Sequence, residues 1–429
     1  MLIYIAGTTD ASAQAWLSNR TYGEGVGVKL GSSMVFHPGL GVEGGYDSNV
    51  YNSDSNAVGA ARLRIAPYLD LATLPPQRTK GFEQGEKPKV DFRLGIAGVY
   101  EDWYGTDNSL DDRRDFGVLA DLALTLFPYG KFRLKLEDQF TRTIMPPNES
   151  GPQNYTRDYN EAGLTFMYIP GDALKLALSA RYFMNYYEFD ILQSAGNYHQ
   201  INVALRMAWK FLPKTALTFD GEFLPYFRNG NKIAGSGDVA MADTSYTLNL
   251  WFGMAGLFTK KFGMALKGGY SGGFYNFGDD LDTWLLNAEF RIFTTPMSVL
   301  RAGFIRDPRT SYFTNYFIRN EGYISYEHLI RGRVLISVKL LCSYLEYATL
   351  LDSTGADSTE MQPNADRTDI ILGGVLFLEY RIRDWIAINL TAQYEGDITD
   401  YKLRELVSTN YIPEGYHKFV GFVGVRANY

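Results

Sequence analysis

Residues Lys418 to Tyr429 read KFVGFVGVRANY. Phe419, Gly421, Val423, Val425, Ala427 and Tyr429 share one parity, and Lys418, Val420, Phe422, Gly424, Arg426 and Asn428 share the other. Successive side chains of a strand point to opposite faces, so period-two alternation predicts a β-strand with two different surroundings. One face is apolar and ends on an aromatic; the other carries Lys, Arg and Asn. Working back along the chain, the same pattern recurs. In Trp385 to Glu395, Ile386, Ile388, Leu390, Ala392 and Tyr394 face away from Asn389, Thr391, Gln393 and Glu395. Leu174–Tyr186, Ile201–Phe211, Thr283–Ile292 and Arg333–Tyr344 alternate likewise.

The composition agrees with a protein that is almost entirely β. Of 429 residues, 46% are hydrophobic and 15% aromatic, with 31 Tyr, 27 Phe and 43 Gly. No run approaches the ~18 consecutive apolar residues of a spanning helix; the run that holds Trp251 to Phe258 begins at Leu250 and has nine. A single cysteine, Cys342, excludes an intrachain disulfide and a Cys-rich zinc site. Four scattered histidines (His37, His199, His328, His417) point to no metal cage, and no cofactor is expected. A net charge of −7 argues against nucleic acid as a partner.

Alternation also occurs in soluble sandwiches, and the connections decide between them. Short turns fall at Pro128–Lys131, Pro170–Asp172, Pro213–Lys214, Lys260–Lys261, Thr295–Pro296, Arg331–Gly332 and Arg383–Asp384. Between successive turns lie longer polar connections, near 47–57, 105–113, 145–157, 190–197, 229–243, 277–282, 308–313, 349–366 and 401–415. Only Leu74 to Pro88 breaks the short side. Strict short/long alternation predicts an all-β, up-and-down antiparallel transmembrane barrel with short periplasmic turns and longer outer loops. About 18 strands fit, at roughly 23 residues per strand and connection. Tyr168, Trp209, Phe211, Trp284, Tyr344, Tyr380, Tyr394 and Tyr429 fall near strand ends on the apolar parity, where interfacial girdles belong. The barrel is expected to span 33–429, after a leader at 16–32. Residues 1–15 read as the remnant of a secretory signal peptide, because Ala13-Gln14-Ala15 has the small-x-small form of a cleavage site.

With the apolar parity toward lipid, the other parity lines the interior. It supplies Arg133, Lys135, Lys175, Arg181, Arg206 and Lys210 from three strands, and Asp220, Glu222, Glu289, Glu321, Glu379 and Glu395 from others. A one-sided basic ladder facing an acidic wall would select solutes by charge. The alternative is that these groups pair across strands and only keep the interior wet. Two long loops, 229–243 and 349–366, are candidates to fold inward. Gly269-Tyr270-Ser271-Gly272-Gly273 matches G-x-S-x-G, but it lies inside a β stretch with no helix after it, so no catalytic site is assigned. His328 and His417 are placed near periplasmic ends and His199 near an outer one. Acidic loop residues such as Asp107, Asp279 and Asp280 read as solvated loop charge, since no Asp-x-Asp-x-Asp-Gly spacing marks a calcium loop; divalent bridges to lipopolysaccharide are the alternative.

The first hairpin, FHPGLGVEGGYDSNVY from Phe36 to Tyr51, resembles the opening hairpin of a group of outer-membrane β-barrel porins. Their members are associated with exopolysaccharide or capsule secretion loci, and similar barrels occur in the envelope-spanning machines of gliding myxobacteria. The end of the chain (Phe419, Gly421, Val423, Val425, Tyr429) is similar to the C-terminal assembly signal of outer-membrane barrels, where Phe or Trp is more usual than Tyr. The resemblance implies a location in the Gram-negative outer membrane. It also implies contact with lipid, lipopolysaccharide and the barrel-assembly machinery, and periplasmic partner proteins. For function it implies a conduit for secreted polysaccharide or other polar solutes. A structural or adhesion barrel of a gliding-motility machine, and a barrel enzyme, are the alternatives.

Overall fold

Alternating segments with one apolar face have only a closed sheet to bury in when neither a second sheet nor a helix layer covers them. The computed structural model shows this closure. It describes residues 27–54, 57–74, 87–107, 110, 115–143, 156–188, 196–229, 239–240, 242–311, 314–349, 351–352, 367–399, 402–404, 411–413 and 415–429. The cleavage motif at Ala13–Ala15 lies outside them. No helix of the described residues is long and apolar enough to cross a membrane.

Eighteen long strands form the wall. They are β1 (Met34–Asp47), β2 (Ala60–Thr73), β3 (Val90–Tyr104), β4 (Asp115–Leu126), β5 (Phe132–Thr143) and β6 (Arg157–Tyr168). Next come β7 (Leu174–Tyr187), β8 (Tyr198–Leu212), β9 (Thr215–Arg228), β10 (Thr244–Leu257), β11 (Phe262–Tyr275) and β12 (Leu281–Thr295). The last six are β13 (Ser298–Thr310), β14 (Tyr316–Ile330), β15 (Val334–Tyr347), β16 (Thr368–Arg383), β17 (Ile386–Thr399) and β18 (Tyr416–Asn428). Each pairs antiparallel with the next. β18 returns to β1, with Gly39 opposite Asn428 and Asp47 opposite Val420, so the sheet has no free edge. Within the expected leader, Val28–Leu30 forms a short strand on the start of β1.

Every second connection is tight except that between β2 and β3, which spans residues 74–89. At Ile330–Arg333 the turn residues Arg331 and Gly332 have φ of 49° and 70°, and Arg333 N–H donates to the Ile330 carbonyl at 3.0 Å. Both central residues are left-handed, which matches the right-handed twist of the flanking strands. The opposite end carries the long loops. There Val239–Ala240, from the β9–β10 loop, pairs with Leu351–Asp352, from the β15–β16 loop. These belong to the two loops named as candidates to fold inward, and they meet although their strands lie six apart in the wall.

The faces separate as the parity predicts. Leu40, Val42 and Tyr46 of β1 are exposed on the outside, whereas Val35, Glu43 and Asp47 are buried within. Trp209, Phe211, Trp284, Tyr344, Tyr380, Tyr394 and Tyr429 are all exposed on the outer face near strand ends. The outer face is not wholly apolar. Asp138 of β5 and Asn160 of β6 share it, with the Asn160 amide 3.4 Å from the carboxylate. Nearer the loop end, Arg142 holds Glu188 bidentately at 2.8 and 3.1 Å.

Inside, the half of the barrel around the β18–β1 seam is filled by side chains. Ala66, Tyr68, Ala97, Val99 and Phe377 form a buried apolar cluster, flanked by Leu119 and Leu335. Phe377 on β16 thus meets Tyr68 on β2 across three intervening strands. Inward glycines make this possible. A Cβ on Gly39 would lie 2.0 Å from the Tyr68 ring, and one on Gly45 would lie 2.3 Å from the Gly421 carbonyl and 2.4 Å from the Phe422 ring. The aromatic rings lie flat on the wall where these glycines leave room.

Candidate functional site: the lumen wall

Directly opposed residues of paired strands share a face, so the register assigns every inward side chain. Arg133 and Lys135 stand on β5, opposite Met167 and Thr165. Lys175 and Arg181 stand on β7, and Arg206 and Lys210 on β8. Asp220 and Glu222 lie on β9, Glu289 on β12, Glu321 on β14, Glu379 on β16 and Glu395 on β17. All twelve occupy the inward parity.

The basic strands are not one-sided, which corrects the ladder-and-wall expectation. Glu137 and Glu161 stand among the cations: Lys135 pairs with Glu137, and Arg181 with Glu161 and, at 3.3 Å, with Glu137. Arg206 holds Glu222 at 2.9 Å, and Lys267 holds Asp220. On the far wall Glu289 pairs with Arg291, and Glu321 accepts from Arg319 at 3.5 Å and from the Ser343 hydroxyl at 3.1 Å. Arg426 grips Glu379 at 2.6 and 2.9 Å, and Arg381 adds a third bond at 3.1 Å. Glu395 accepts from the Tyr416 hydroxyl. Pairing along and across strands therefore neutralises most of the lumen. Burying a charge without a partner costs several kcal/mol, so a folded wall arranges its partners locally.

The densest group was not singled out from the sequence. Arg62 bonds Glu101 at 2.7 Å and Asp47 at 3.3 Å; Arg64 bonds Glu101 at 2.8 Å and Glu43 at 3.1 Å. Lys418 reaches Asp47 at 3.3 Å and the Asn52 side-chain oxygen at 3.0 Å. The Arg62 guanidinium carbon lies 3.9 Å from the Trp103 ring centroid, and that of Arg64 lies 4.3 Å from Phe422. Three cations and three carboxylates balance, and all six are buried. The parity of Arg62 and Arg64 in RLRIAPYLDL was a sufficient signal for their facing inward. Their partners lie at sequence separations that no local pattern shows.

The Tyr-Asp-Ser-Asn-Val-Tyr turn belongs to this group. Asn49 N–H donates to the Asp47 carboxylate at 3.0 Å, and the Asn49 amide donates to the Ser53 and His417 carbonyls at 2.8 and 3.1 Å. Ser48 exchanges bonds with Phe419: its N–H donates to the Phe419 carbonyl at 2.9 Å, and its hydroxyl accepts from Phe419 N–H at 2.8 Å. The first loop thus holds the last strand.

Ser271 lies in β11, fully buried, with its hydroxyl 2.6 Å from the Asn249 side-chain oxygen. His417 is on the long-loop end, beside the Tyr394 hydroxyl at 2.9 Å. This corrects its periplasmic placement: an even strand count makes β18 descend from the loop end. His328 lies at the short-turn end and His199 at the loop end. At the periphery of the mouth, Arg228 donates to the Ser311 carbonyl at 2.8 Å, and Ala242 N–H donates to Asn315 at 2.8 Å. Among the described residues, no group of three or more His, Cys, Asp or Glu is arranged to hold a metal.

No family model matches the chain. No curated protein matches it either. Among solved structures it is similar to OccAB3 of Acinetobacter baumannii, at 10% identity over 92% of this chain and 99% of that one, with a TM-score of 0.46. It is also similar to OccK2 (OpdF) of Pseudomonas aeruginosa in complex with glucuronate, at 12% identity over 92% and 98%, with a TM-score of 0.48. The siderophore receptor PirA of Acinetobacter baumannii aligns at 9% identity over 94% of this chain and 81% of that one, with a TM-score of 0.46. At these scores the chain is similar to them in barrel architecture, and nothing about its role follows.

Proposed function

We propose that this chain is a pore of the Gram-negative outer membrane that passes polar solutes. The observation that carries the reading is the contrast between the two faces of one wall. The outer face presents Leu, Val, Ile and Phe with aromatics at both ends, and the inner face presents ion pairs and hydrogen-bonding groups. A single sheet with those two faces suits lipid on one side and water on the other. In this reading the short-turn end faces the periplasm and the loop end faces lipopolysaccharide. The chain arrives by way of a signal peptide, and the assembly machinery recognises Phe419, Gly421, Val423, Val425 and Tyr429. Secreted polysaccharide is the cargo that the first hairpin's resemblance favours, and it requires periplasmic partners to deliver it.

A second reading, a scaffold or adhesion barrel in an envelope-spanning motility machine, draws on the filled seam half and the paired loops at the mouth. Planar-bilayer recording separates the two. Stepwise conductance from the purified, folded barrel supports the pore. Silence at all voltages, from protein that still shows the heat-modifiable mobility of a folded barrel, would leave the scaffold.

A further inference from the structure

Among the described residues, pairing neutralises most of the lumen; Lys339 stands alone over the Tyr323 ring, and one group of cations stands together. On the inward faces of β5, β7 and β8, toward the short-turn end, five cations stand close together: Arg133, Lys135, Lys175, Arg206 and Lys210. Two have carboxylates, Lys135 with Glu137 and Arg206 with Glu222. Among the described residues, no carboxylate lies within ion-pair distance of Arg133, Lys175 or Lys210. The charges that bear on the Lys175 ammonium are those of Arg133, Lys135 and Arg206, all of its own sign.

The register explains the shape of this group. Arg133, Met167, Ala177 and Arg206 form one cross-strand row, each opposite the next. Lys175 is two residues from Ala177 along β7, so it projects between the two arginines. The surface under the cations is made of small buried residues, Ala177, Ser179 and Ala204. The Ser179 hydroxyl, 3.4 Å from an Arg206 nitrogen, keeps that guanidinium turned toward the group. The result is a cluster of cations beside small residues, with Met167 between Arg133 and Ala177.

We propose that this cluster of cations binds an oxyanion group, carboxylate or phosphate, carried by a solute in the lumen. Like charges held side by side on a rigid sheet repel, and a wall with low-dielectric backing weakens their screening by water. Elsewhere in this barrel, as at Lys267–Asp220, Arg319–Asp307 and Arg426–Glu379, the fold supplies the counter-charge itself. Here it supplies three fewer carboxylates than cations, so the counter-charge comes from the lumen. Arg133 donates its Nε to the Gly130 carbonyl at 3.1 Å, which leaves its two terminal nitrogens to grip an oxyanion, and Lys175 and Lys210 add point charges without a fixed geometry. A divalent anion gains most, because it meets several cations at once.

The site deepens the pore reading, so its test has a readout that does not need conduction. Inorganic phosphate is titrated into the detergent-solubilised full-length barrel by calorimetry, for the wild-type chain, K175Q, R133Q/K175Q and K175R. Saturable binding, weakened about tenfold or more in R133Q/K175Q and retained in K175R, is expected. In bilayers under a KCl gradient, the wild-type reversal potential should favour chloride, and R133Q/K175Q should shift it toward potassium. Phosphate binding without any conductance keeps the site and removes the pore. Conductance with no phosphate binding, or with binding and reversal potential unchanged in a folded R133Q/K175Q barrel, overturns the site and leaves the pore standing.

Discussion

Asp47 shows how much one side chain decides in this wall. It is fully buried and takes charge from both Arg62 and Lys418, while also accepting the Asn49 N–H. Removing it leaves the buried Lys418 without a carboxylate and takes from Arg62 one of its two, at the junction of the first and last strands. Asp47→Ala should therefore cost about 3–5 kcal/mol, read as a lower denaturant midpoint for loss of the heat-modifiable form. A cost under about 1 kcal/mol would mean that water screens the group after all. Gly45 tests the same seam sterically. Its missing Cβ would meet the Gly421 carbonyl, which is backbone and cannot swing aside, as well as the Phe422 ring. Gly45→Ala should destabilise by about 1–3 kcal/mol through overpacking, whereas the outward Gly44, which meets nothing, should tolerate alanine. At this scale the sequence displayed the Tyr-Asp-Ser-Asn-Val-Tyr turn plainly as a turn. Its grip on residues 417–419 was hidden, since the partners lie at the other end of the chain.

Along single strands the alternation was almost fully legible. The parity read from the sequence put Phe419, Val423 and Val425 outward and Lys418, Phe422 and Arg426 inward, as the exposures show. β5 is where a strand departs from its own rule. Asp138 lies on the outer parity, six residues beyond Phe132. At ~3.3 Å per residue and a tilt of ~40° that is roughly 15 Å up the wall, inside the ~25 Å apolar band. Among the described residues, Asn160 alone supports it there, at 3.4 Å. Replacing a lipid-facing carboxylate by leucine should stabilise the barrel, so Asp138→Leu is expected to gain about 1 kcal/mol in lipid bilayers. A loss of stability on unfolding in bilayers would show that the carboxylate has a polar partner there. The one-sided ladder failed at this scale too. The cations of β5, β7 and β8 share one parity, but Glu137 and Glu161 share it too and neutralise part of it.

For the whole molecule, the strand count alone suggests a wide channel, and the interior narrows it. Eighteen strands enclose enough space for an aqueous lumen. Yet Tyr68, Phe377 and their neighbours fill the half beside the seam, and the β9–β10 and β15–β16 loops meet at the mouth. What remains open lies toward β5–β11, where Lys135, Arg206 and Lys267 keep about a third of their side-chain surface exposed. Phe377→Ala should therefore raise single-channel conductance while lowering stability by about 3 kcal/mol or more. Unchanged conductance would show that the apolar cluster does not border the ion path.

The sequence by itself determined the class of fold, the strand count and the parity of nearly every wall residue. Those properties depend on local period and on the lengths of connections, and both are written in consecutive residues. Only the tertiary structure decided which charges meet. Pairing across the wall depends on inter-strand register and on closure of β18 onto β1, which bring Arg426 to Glu379 and Lys418 to Asp47. The same closure decides which cations stay without a carboxylate, because an ion pair requires a distance of a few ångströms and the sequence specifies only a direction.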